Sequence, residues 1–408
     1  MEQKKKQKKK QKWVKFRHRF LRNVAWLVLY PYLKLAYHVR IERFKEQENR
    51  PYLILFNHQT ALDQFIVGSS FKGAVYYVAS EDLFSNGWIS RLLEWAVAPI
   101  PIKKQATDAR AVLTCLRVSK EGGTIALAPE GNRTFSGKTE YIKPAIAGLA
   151  KALKMPIALY RMEGGYGVQP RWSDAIRRGK MRAYVSKVIQ PEEYLAMSDE
   201  ELFDIIAQEL YVDDCSMQRE YRSKRLAEYL ERAYYVCPFC GLTEYESHAD
   251  EFTCKKCGRT TRYLPSQKLQ GKGFEFPFQT TKEWYDYQTD FISELDLNCY
   301  GKDPLYSDMV CLAEVKLYDR KRLMDKNAKV QLYADRISIQ SGTNTLEMPF
   351  ESISTVTVLG RNKLNIYYDG KVYQCKGNKR FNAVKYVQIC HHAKNIQKGE
   401  IHGKFLGL

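Results

Sequence analysis

Two short cysteine knuckles constrain this chain more than any other feature. They read Cys237-Pro-Phe-Cys240-Gly241 and Cys254-Lys-Lys-Cys257-Gly258, with thirteen residues between Cys240 and Cys254. Each thiolate pair can chelate one metal ion, and two pairs close a tetrahedral site on Zn2+. The glycine after each knuckle lets the backbone turn back toward sulfur. The spacing predicts a zinc ribbon over 237–265, with Cys237, Cys240, Cys254 and Cys257 as ligands of a structural Zn2+. Disulfides are the competing assignment, but the other six cysteines are scattered without a framework. Lys255, Lys256, Arg259 and Arg262 make the ribbon basic without saying what it binds.

A second constraint lies earlier. The apolar run Tyr52-Leu-Ile-Leu-Phe56 reads as a short buried strand and leads into Asn57-His58-Gln59-Thr60-Ala61-Leu62-Asp63. His58 thus stands where a strand ends, the position at which open α/β sheets place their chemistry. A neutral imidazole can take a proton from a hydroxyl near neutral pH. A carboxylate on its other nitrogen fixes the tautomer and supports the imidazolium. Five residues amount to about 500° around a helix, so the two side chains would not share a helical face. They can meet if the chain bends, with His58 in a loop and Asp63 in the first helical turn. The bland assignment is a capping histidine and an acidic first-turn residue.

Three further segments follow. Ala98-Pro-Ile-Pro-Ile-Lys103-Lys104 is an apolar, Pro-rich turn ending in two cations. Ala128-Pro-Glu130-Gly131-Asn132-Arg133-Thr134 follows the strand-like Gly123-Thr-Ile-Ala-Leu-Ala128, and Met155-Pro-Ile-Ala-Leu-Tyr160 reads as another buried strand. Gly131 permits close backbone approach, and the Arg133 guanidinium suits a fork-shaped grip on phosphate. Over roughly residues 20–210 these blocks, in this order, resemble the glycerophospholipid acyltransferase family, PlsC-like 1-acylglycerol-3-phosphate acyltransferases among them. The resemblance implies an α/β fold with His58 and Asp63 catalytic, and Lys104, Glu130, Gly131 and Arg133 around the acceptor's phosphate. It also implies a lysophospholipid acceptor, acyl-CoA or acyl carrier protein as donor, and no catalytic metal. The chain departs from the family pattern at Ala98 and Lys104, where Gly and Arg are usual, and reads EGNR instead of EGTR. A lysine is a point charge without a planar fork, so the grip expected at Lys104 is looser.

At 408 residues, 45% of them hydrophobic, the chain can hold two or three domains. Its net charge of +19 is uneven, with about ten of the excess positive charges in residues 1–22. Such a run reads as a disordered, solvated arm. The apolar stretch Val24–Tyr37 falls short of the roughly 20 residues needed to span a bilayer. Its Trp26, Tyr30, Tyr32 and Tyr37 favour the headgroup level. Arm and helix (23–40) together predict an interfacial anchor on an anionic membrane surface, with the protein peripheral or monotopic at the cytoplasmic face of the cell membrane. The alternative is a helix packed on the domain beside an arm that binds nothing. A secretory signal is not expected, because a small-residue cleavage site is missing and Pro31 and Lys34 interrupt the run. Nor is nucleic-acid binding, since about half of the excess charge sits in one terminal run beside that anchor.

Beyond the acyltransferase domain (41–210), residues 211–236 are charged and predict a helical linker, while 266–308 read as an irregular connector. From 309 to 396 the pattern is short alternating strands, Lys329–Tyr333 to Lys371–Cys375, then a helix-like Phe381–His392. That order predicts a mostly-β PH- or GRAM-like barrel. The function expected is acyl transfer from a thioester to a lysophosphatidic acid-like hydroxyl. The alternative is a membrane-bound adaptor whose ribbon and barrel bind a partner while the acyltransferase-like domain is inert. The ribbon follows the catalytic blocks, so its loss is not expected to stop the chemistry directly.

Overall fold

The structure, a computed structural model, describes residues 12–46, 51–102, 109–316 and 319–399. Its N-terminal part comprises α1 (Phe16–Ala36), β1 (Val39–Ile41), β2 (Leu53–Phe56), α2 (Asp63–Ser70), β3 (Val75–Ser80), α3 (Trp88–Val97), β4 (Ile100–Ile102), α4 (Ala109–Lys120), β5 (Thr124–Leu127), α5 (Ala145–Leu153), β6 (Ile157–Glu163), α6 (Gly165–Val168), β7 (Met181–Ile189), α7 (Pro191–Tyr194) and α8 (Asp199–Leu210). The strands form one mixed sheet in the order β1-β7-β6-β2-β5-β3-β4. Every residue of β2 is buried, as befits a central strand covered on both faces. β2 runs parallel to both neighbours, β5 and β6. The carboxyl ends of these three strands therefore gather at one edge of the sheet, where α/β folds place ligands.

Two N-terminal expectations need correction. The segment around Ile100, expected as a turn, contains β4, paired parallel with β3 at the sheet edge. Pro101 is tolerated there because an edge strand leaves one side of its backbone unpaired. The basic arm was expected to reach residue 22, yet α1 already begins at Phe16; residues 1–11 lie outside the described residues. Trp13 Nε1 donates to the Ala98 carbonyl at 3.0 Å, and the Val14 amide donates to the Glu121 carboxylate at 2.8 Å. His18 is buried 3.1 Å from the Tyr76 hydroxyl. These contacts offset the entropy of ordering a charged segment.

Residues 211–235 hold no α-helix. They form an irregular strap across the N-terminal unit, with short 3-10 turns at Asp214–Ser216 and Leu230–Arg232. The Tyr221 ring lies so close over Gly167 and Gly179 that a Cβ there would fall 2.2 Å and 2.1 Å from it. Arg232 pairs with Asp174 at 2.7 Å and donates to the Trp172 carbonyl at 2.8 Å. Helix-compatible composition loses here because each anchor is buried against a different partner.

The cysteine region follows as β8 (Val236–Cys237), β9 (Gly241–Leu242), β10 (Tyr245–His248), β11 (Glu251–Cys254), β12 (Thr260–Tyr263) and β13 (Leu269–Gly271), the last four forming an antiparallel sheet. The connector is not irregular throughout. It contains α9 (Thr281–Ser293), whose N-cap Thr280 accepts from the Glu283 amide. The pattern Thr280-x-x-Glu283 was the signal that could have marked it. The C-terminal part is an antiparallel half-barrel of seven strands followed by a helix, the strand-then-helix order read from the sequence. Its strands are β14 (Tyr306–Val315), β15 (Lys321–Leu332), β16 (Arg336–Ser341), β17 (Asn344–Pro349), β18 (Ile353–Leu359), β19 (Lys363–Tyr368) and β20 (Lys371–Gly377), in the order β17-β16-β15-β14-β20-β19-β18. α10 (Val384–Gln397) closes it.

The parts share a core. One apolar cluster runs from Phe135, Tyr166 and Trp172 of the first unit through Cys237, Phe252 and Trp284 to Val358 and Val387 of the barrel. Trp284 stacks on Tyr234 and Phe252, with ring centroids 4.2 and 5.1 Å apart. The barrel also grips the first unit directly, through Asn365 Nδ2 donating to Asp82 Oδ1 at 2.8 Å.

Candidate active site

His58 lies in the loop between β2 and α2, and Asp63 is the first residue of α2. The loop is clamped at several points. The Asn57 amide exchanges two hydrogen bonds with the Met162 backbone in β6, at 2.8 and 2.7 Å. Gln59 Oε1 accepts from the Gly165 amide, and Gln169 Oε1 accepts from the Ala61 amide. The resulting bend puts His58 Nδ1 2.8 Å from Asp63 Oδ2. Asp63 is wholly buried, whereas the His58 side chain is 26% exposed. The same carboxylate accepts the amides of Gln59 (2.7 Å) and Thr60 (2.9 and 3.0 Å) and the Thr60 hydroxyl (2.5 Å). A carboxylate with its lone pairs so fully engaged cannot rotate, and one of its oxygens stays against the imidazole. The acceptor at Nδ1 assigns the proton to that nitrogen and leaves Nε2 as the basic one.

The loop after β5 lies beside this pair because β5 is the parallel neighbour of β2. Buried Glu130 ties the two loops together. Its Oε1 accepts from the His58 amide and its Oε2 from the Glu140 amide, both at 2.7 Å. Burial pushes its carboxyl well above the usual range, against the pull of those two amides. Thr134 adds a backbone bond to the His58 carbonyl at 3.2 Å. Gly131 turns the chain at φ +72°, a left-handed conformation strained for any side chain. The turn brings Arg133 near Asp63. Burial pushes the Arg133 guanidinium down to about 10, so it stays cationic at neutral pH. Its Nη1 is buried with no hydrogen-bond partner among the described residues. Lys104 lies outside the described residues.

Arg171 has no motif to announce it. This buried residue donates to the Arg133 carbonyl at 2.9 Å, and to the Val358 and Gly360 carbonyls at 3.0 and 3.2 Å. Its guanidinium stacks over Phe135, 4.2 Å from the ring centroid. It thereby straps the Arg133 loop to the turn between β18 and β19.

The four knuckle cysteines converge, with all sulfurs within 4.8 Å of one another. Cys237 and Cys257 are 3.8 Å apart and Cys240 and Cys254 3.5 Å. Tetrahedral coordination with Zn–S bonds of about 2.3 Å needs sulfur–sulfur edges of about 3.8 Å. The donor set fits a metal ion, and with four protein ligands it leaves no position for substrate. A separate surface is apolar. α1 exposes Phe16, Phe20, Val24, Leu27, Val28 and Leu35, and α3 exposes Trp88, Ile89, Leu92 and Trp95. Arg17 joins the helices, donating to the Trp95 carbonyl at 3.1 Å with its guanidinium over the Trp95 ring. No helix among the described residues is long and apolar enough to cross a membrane.

A histidine–carboxylate pair thus stands at the carboxyl edge of a mixed sheet, beside a buried arginine. Residues 37–161 match the family model described as Acyltransferase. The chain is 24% identical over 188 residues to the chloroplastic 1-acyl-sn-glycerol-3-phosphate acyltransferase LPAT1 of Arabidopsis thaliana, covering 43% of this chain and 49% of that protein. It is 22% identical over 161 residues to the 1-acyl-sn-glycerol-3-phosphate acyltransferase of Bacillus subtilis, covering 38% and 77%. The crystal structure of the 1-acyl-sn-glycerophosphate acyltransferase PlsC from Thermotoga maritima aligns with a TM-score of 0.37 at 21% identity, over 47% of this chain and 74% of that one. The chain spans about half the length of the plant relative.

Proposed function

We propose that the protein transfers a fatty acyl group from an acyl-CoA or acyl carrier protein thioester to the hydroxyl of a lysophosphatidic acid-like acceptor. The observation that carries this is the 2.8 Å bond from His58 Nδ1 to a carboxylate that is itself fully engaged. His58 Nε2 takes the hydroxyl proton as the acceptor oxygen attacks the thioester carbonyl. Asp63 stabilises the imidazolium. The tetrahedral intermediate collapses, the C–S bond breaks, and the imidazolium returns its proton to the leaving thiolate. Arg133, with Lys104, binds the acceptor's phosphate and so holds the hydroxyl near His58. Glu130 and Gly131 shape the loop that places Arg133. Cys237, Cys240, Cys254 and Cys257 hold a structural Zn2+, which fixes the ribbon and takes no part in the chemistry.

The exposed faces of α1 and α3 seat the protein on a membrane surface, at the cytoplasmic face of the cell membrane, where the lipid acceptor is within reach. The test is thiol release from acyl-CoA or acyl carrier protein, with lysophosphatidate in mixed micelles. Acceptor-dependent release by the wild-type chain, lost in His58→Ala, supports the proposal. Release that is independent of acceptor, or unchanged in His58→Ala, sinks it.

A further inference from the structure

The C-terminal half-barrel reaches the edge of the proposed active site. The turn between β18 and β19 is held there by Arg171, which binds the Val358 and Gly360 carbonyls with the same guanidinium that binds the Arg133 carbonyl. The next residue after Gly360 is Arg361, so the Arg171 strap ties together the backbones of two chain segments more than two hundred residues apart, one carrying Arg133 and the other Arg361. Each is incompletely partnered. Arg133 Nη1 and Arg361 Nε are both buried and have no hydrogen-bond partner among the described residues. Arg361 Nη1 reaches Asp174 at 3.3 Å, but that carboxylate is already engaged by Arg232 at 2.7 Å. Two cations tied to one strap, each with a buried N–H that has no acceptor among the described residues, are what an anion site requires. At Arg133, burial lowers the affinity for a proton most, Asp63 opposes that, and the charge of Arg361 lowers it further, which places Arg361 within electrostatic reach of Arg133.

We propose that Arg361 pairs with Arg133 to form a two-guanidinium cradle for the phosphate monoester of the acyl acceptor, a placement that presupposes the acceptor site proposed above. The C-terminal half-barrel then supplies part of the substrate site, and the acyltransferase domain alone holds only half of the cradle. Phosphate could come from the acceptor or from the donor's phosphopantetheine or nucleotide. The position of Arg133 beside the His58–Asp63 pair assigns it to the acceptor, whose hydroxyl must reach His58.

The test uses the full-length chain. Arg361→Lys keeps a charge for Asp174 but offers no Nε–H, and Arg361→Gln removes the charge; melting temperature confirms folding, and if the Gln variant is destabilised the Lys variant carries the test. Binding of lysophosphatidate and of monoacylglycerol with the same acyl chain is measured in mixed micelles, together with KM for acceptor and donor. A lost charge-assisted pair should weaken lysophosphatidate binding about tenfold or more in Arg361→Gln. The Lys variant should recover part of that loss, while monoacylglycerol binding and the donor KM should stay within about twofold of wild type. Wild-type lysophosphatidate affinity in a folded variant overturns the cradle. So does an equal loss for both lipids, or a rise confined to the donor KM. Normal transfer in both Arg361 variants leaves the proposed function standing and removes the cradle. Binding of lysophosphatidate that depends on Arg361, in a wild-type protein that transfers nothing to it, keeps the cradle and removes the proposed reaction.

Discussion

The two sides of the site are built in opposite ways. On the carboxylate side, Asp63 accepts two backbone amides, a hydroxyl and the imidazole, and is wholly buried. On the cation side, Arg133 and Arg361 each keep a buried N–H without a partner among the described residues. A group that must hold one orientation through every turnover gains from being saturated, because nothing then reorganises as charge develops on the imidazole. A group that must bind and release an anion gains from being left open, since its free donors are satisfied only when the ligand arrives. On the proposed function, completeness of hydrogen bonding is what would separate the groups that prepare the base from those that hold the acceptor.

The hardest test of that division is on the saturated side. His58→Ala should lower kcat by about a thousandfold or more, the scale of a lost general base. Asp63→Asn should cost nearly as much. It removes the charge and turns a donor toward amides that already donate, so the imidazole loses both its tautomer and its support. Single-turnover thiol release checks both. Turnover of Asp63→Asn within tenfold of wild type would show that the saturated carboxylate is not what prepares His58.

On the open side, Arg133→Ala should act through the acceptor. The expected change is a rise of roughly ten- to a hundredfold in acceptor KM, with little effect on the donor. Steady-state kinetics with each substrate varied in turn decide it. An equal penalty with a phosphate-free acceptor would break the comparison, because Arg133 would then be structural.

How much of this was legible in the sequence follows the range of the interactions. Local ones could be read. The apolar Tyr52–Phe56 marked a buried strand, and the five-residue spacing from His58 to Asp63 allowed a bend that lets them meet, as they do at 2.8 Å. The knuckle spacing anticipated four sulfurs in one cluster. The alternating strands from Lys329 to Cys375 fall within β15 to β20 to within a residue or two. Long-range interactions could not be read. Arg171 and Arg361 belong to no motif, because their significance is that folding brings Gly360 to the Arg133 loop. The strap at 211–235 misled because its charged composition suits a helix, whereas its form is set by Tyr221 packing onto Gly167 and Gly179.

The ribbon sharpens the comparison from a distance. Its sequence position suggested independence from the chemistry, but the shared core argues otherwise. Cys237 and Phe252 belong to the cluster that holds Phe135, two residues from Arg133. Tyr166 donates to the Thr281 hydroxyl, and Trp172 Nε1 to Tyr166 Oη, both at 3.1 Å. A Cys237→Ser/Cys240→Ser variant should lose bound metal by elemental analysis and become protease-sensitive around 237–265. Transfer should fall by roughly tenfold through loosening of the Arg133 loop, with the loss expressed more in acceptor KM than in kcat. A metal-free variant with native melting temperature and full transfer would show that ribbon and site are uncoupled.

The smallest effect on the chemical step should come from the apolar faces of α1 and α3, which are exposed and carry none of the site residues. Leu27 and Trp88 are 67% and 73% exposed, and a surface of this kind gains stability only when something apolar covers it. Transferring such a side chain from water into the acyl boundary is worth about 1.5–3 kcal/mol when burial is complete. A Leu27→Ser/Trp88→Ser variant should therefore lose most of its sedimentation with anionic vesicles. With acceptor dispersed in micelles, its kcat should stay within about threefold of wild type, because His58, Asp63 and Arg133 are undisturbed. With acceptor embedded in vesicles, the apparent acceptor KM should rise, since the enzyme then reaches its substrate less often and grips it as well as before. Comparing the two dispersions separates delivery of the acceptor from its binding by the arginines. Unchanged sedimentation would move the membrane contact away from α1 and α3. An equal loss in micelles and vesicles would mean that these helices support the site itself.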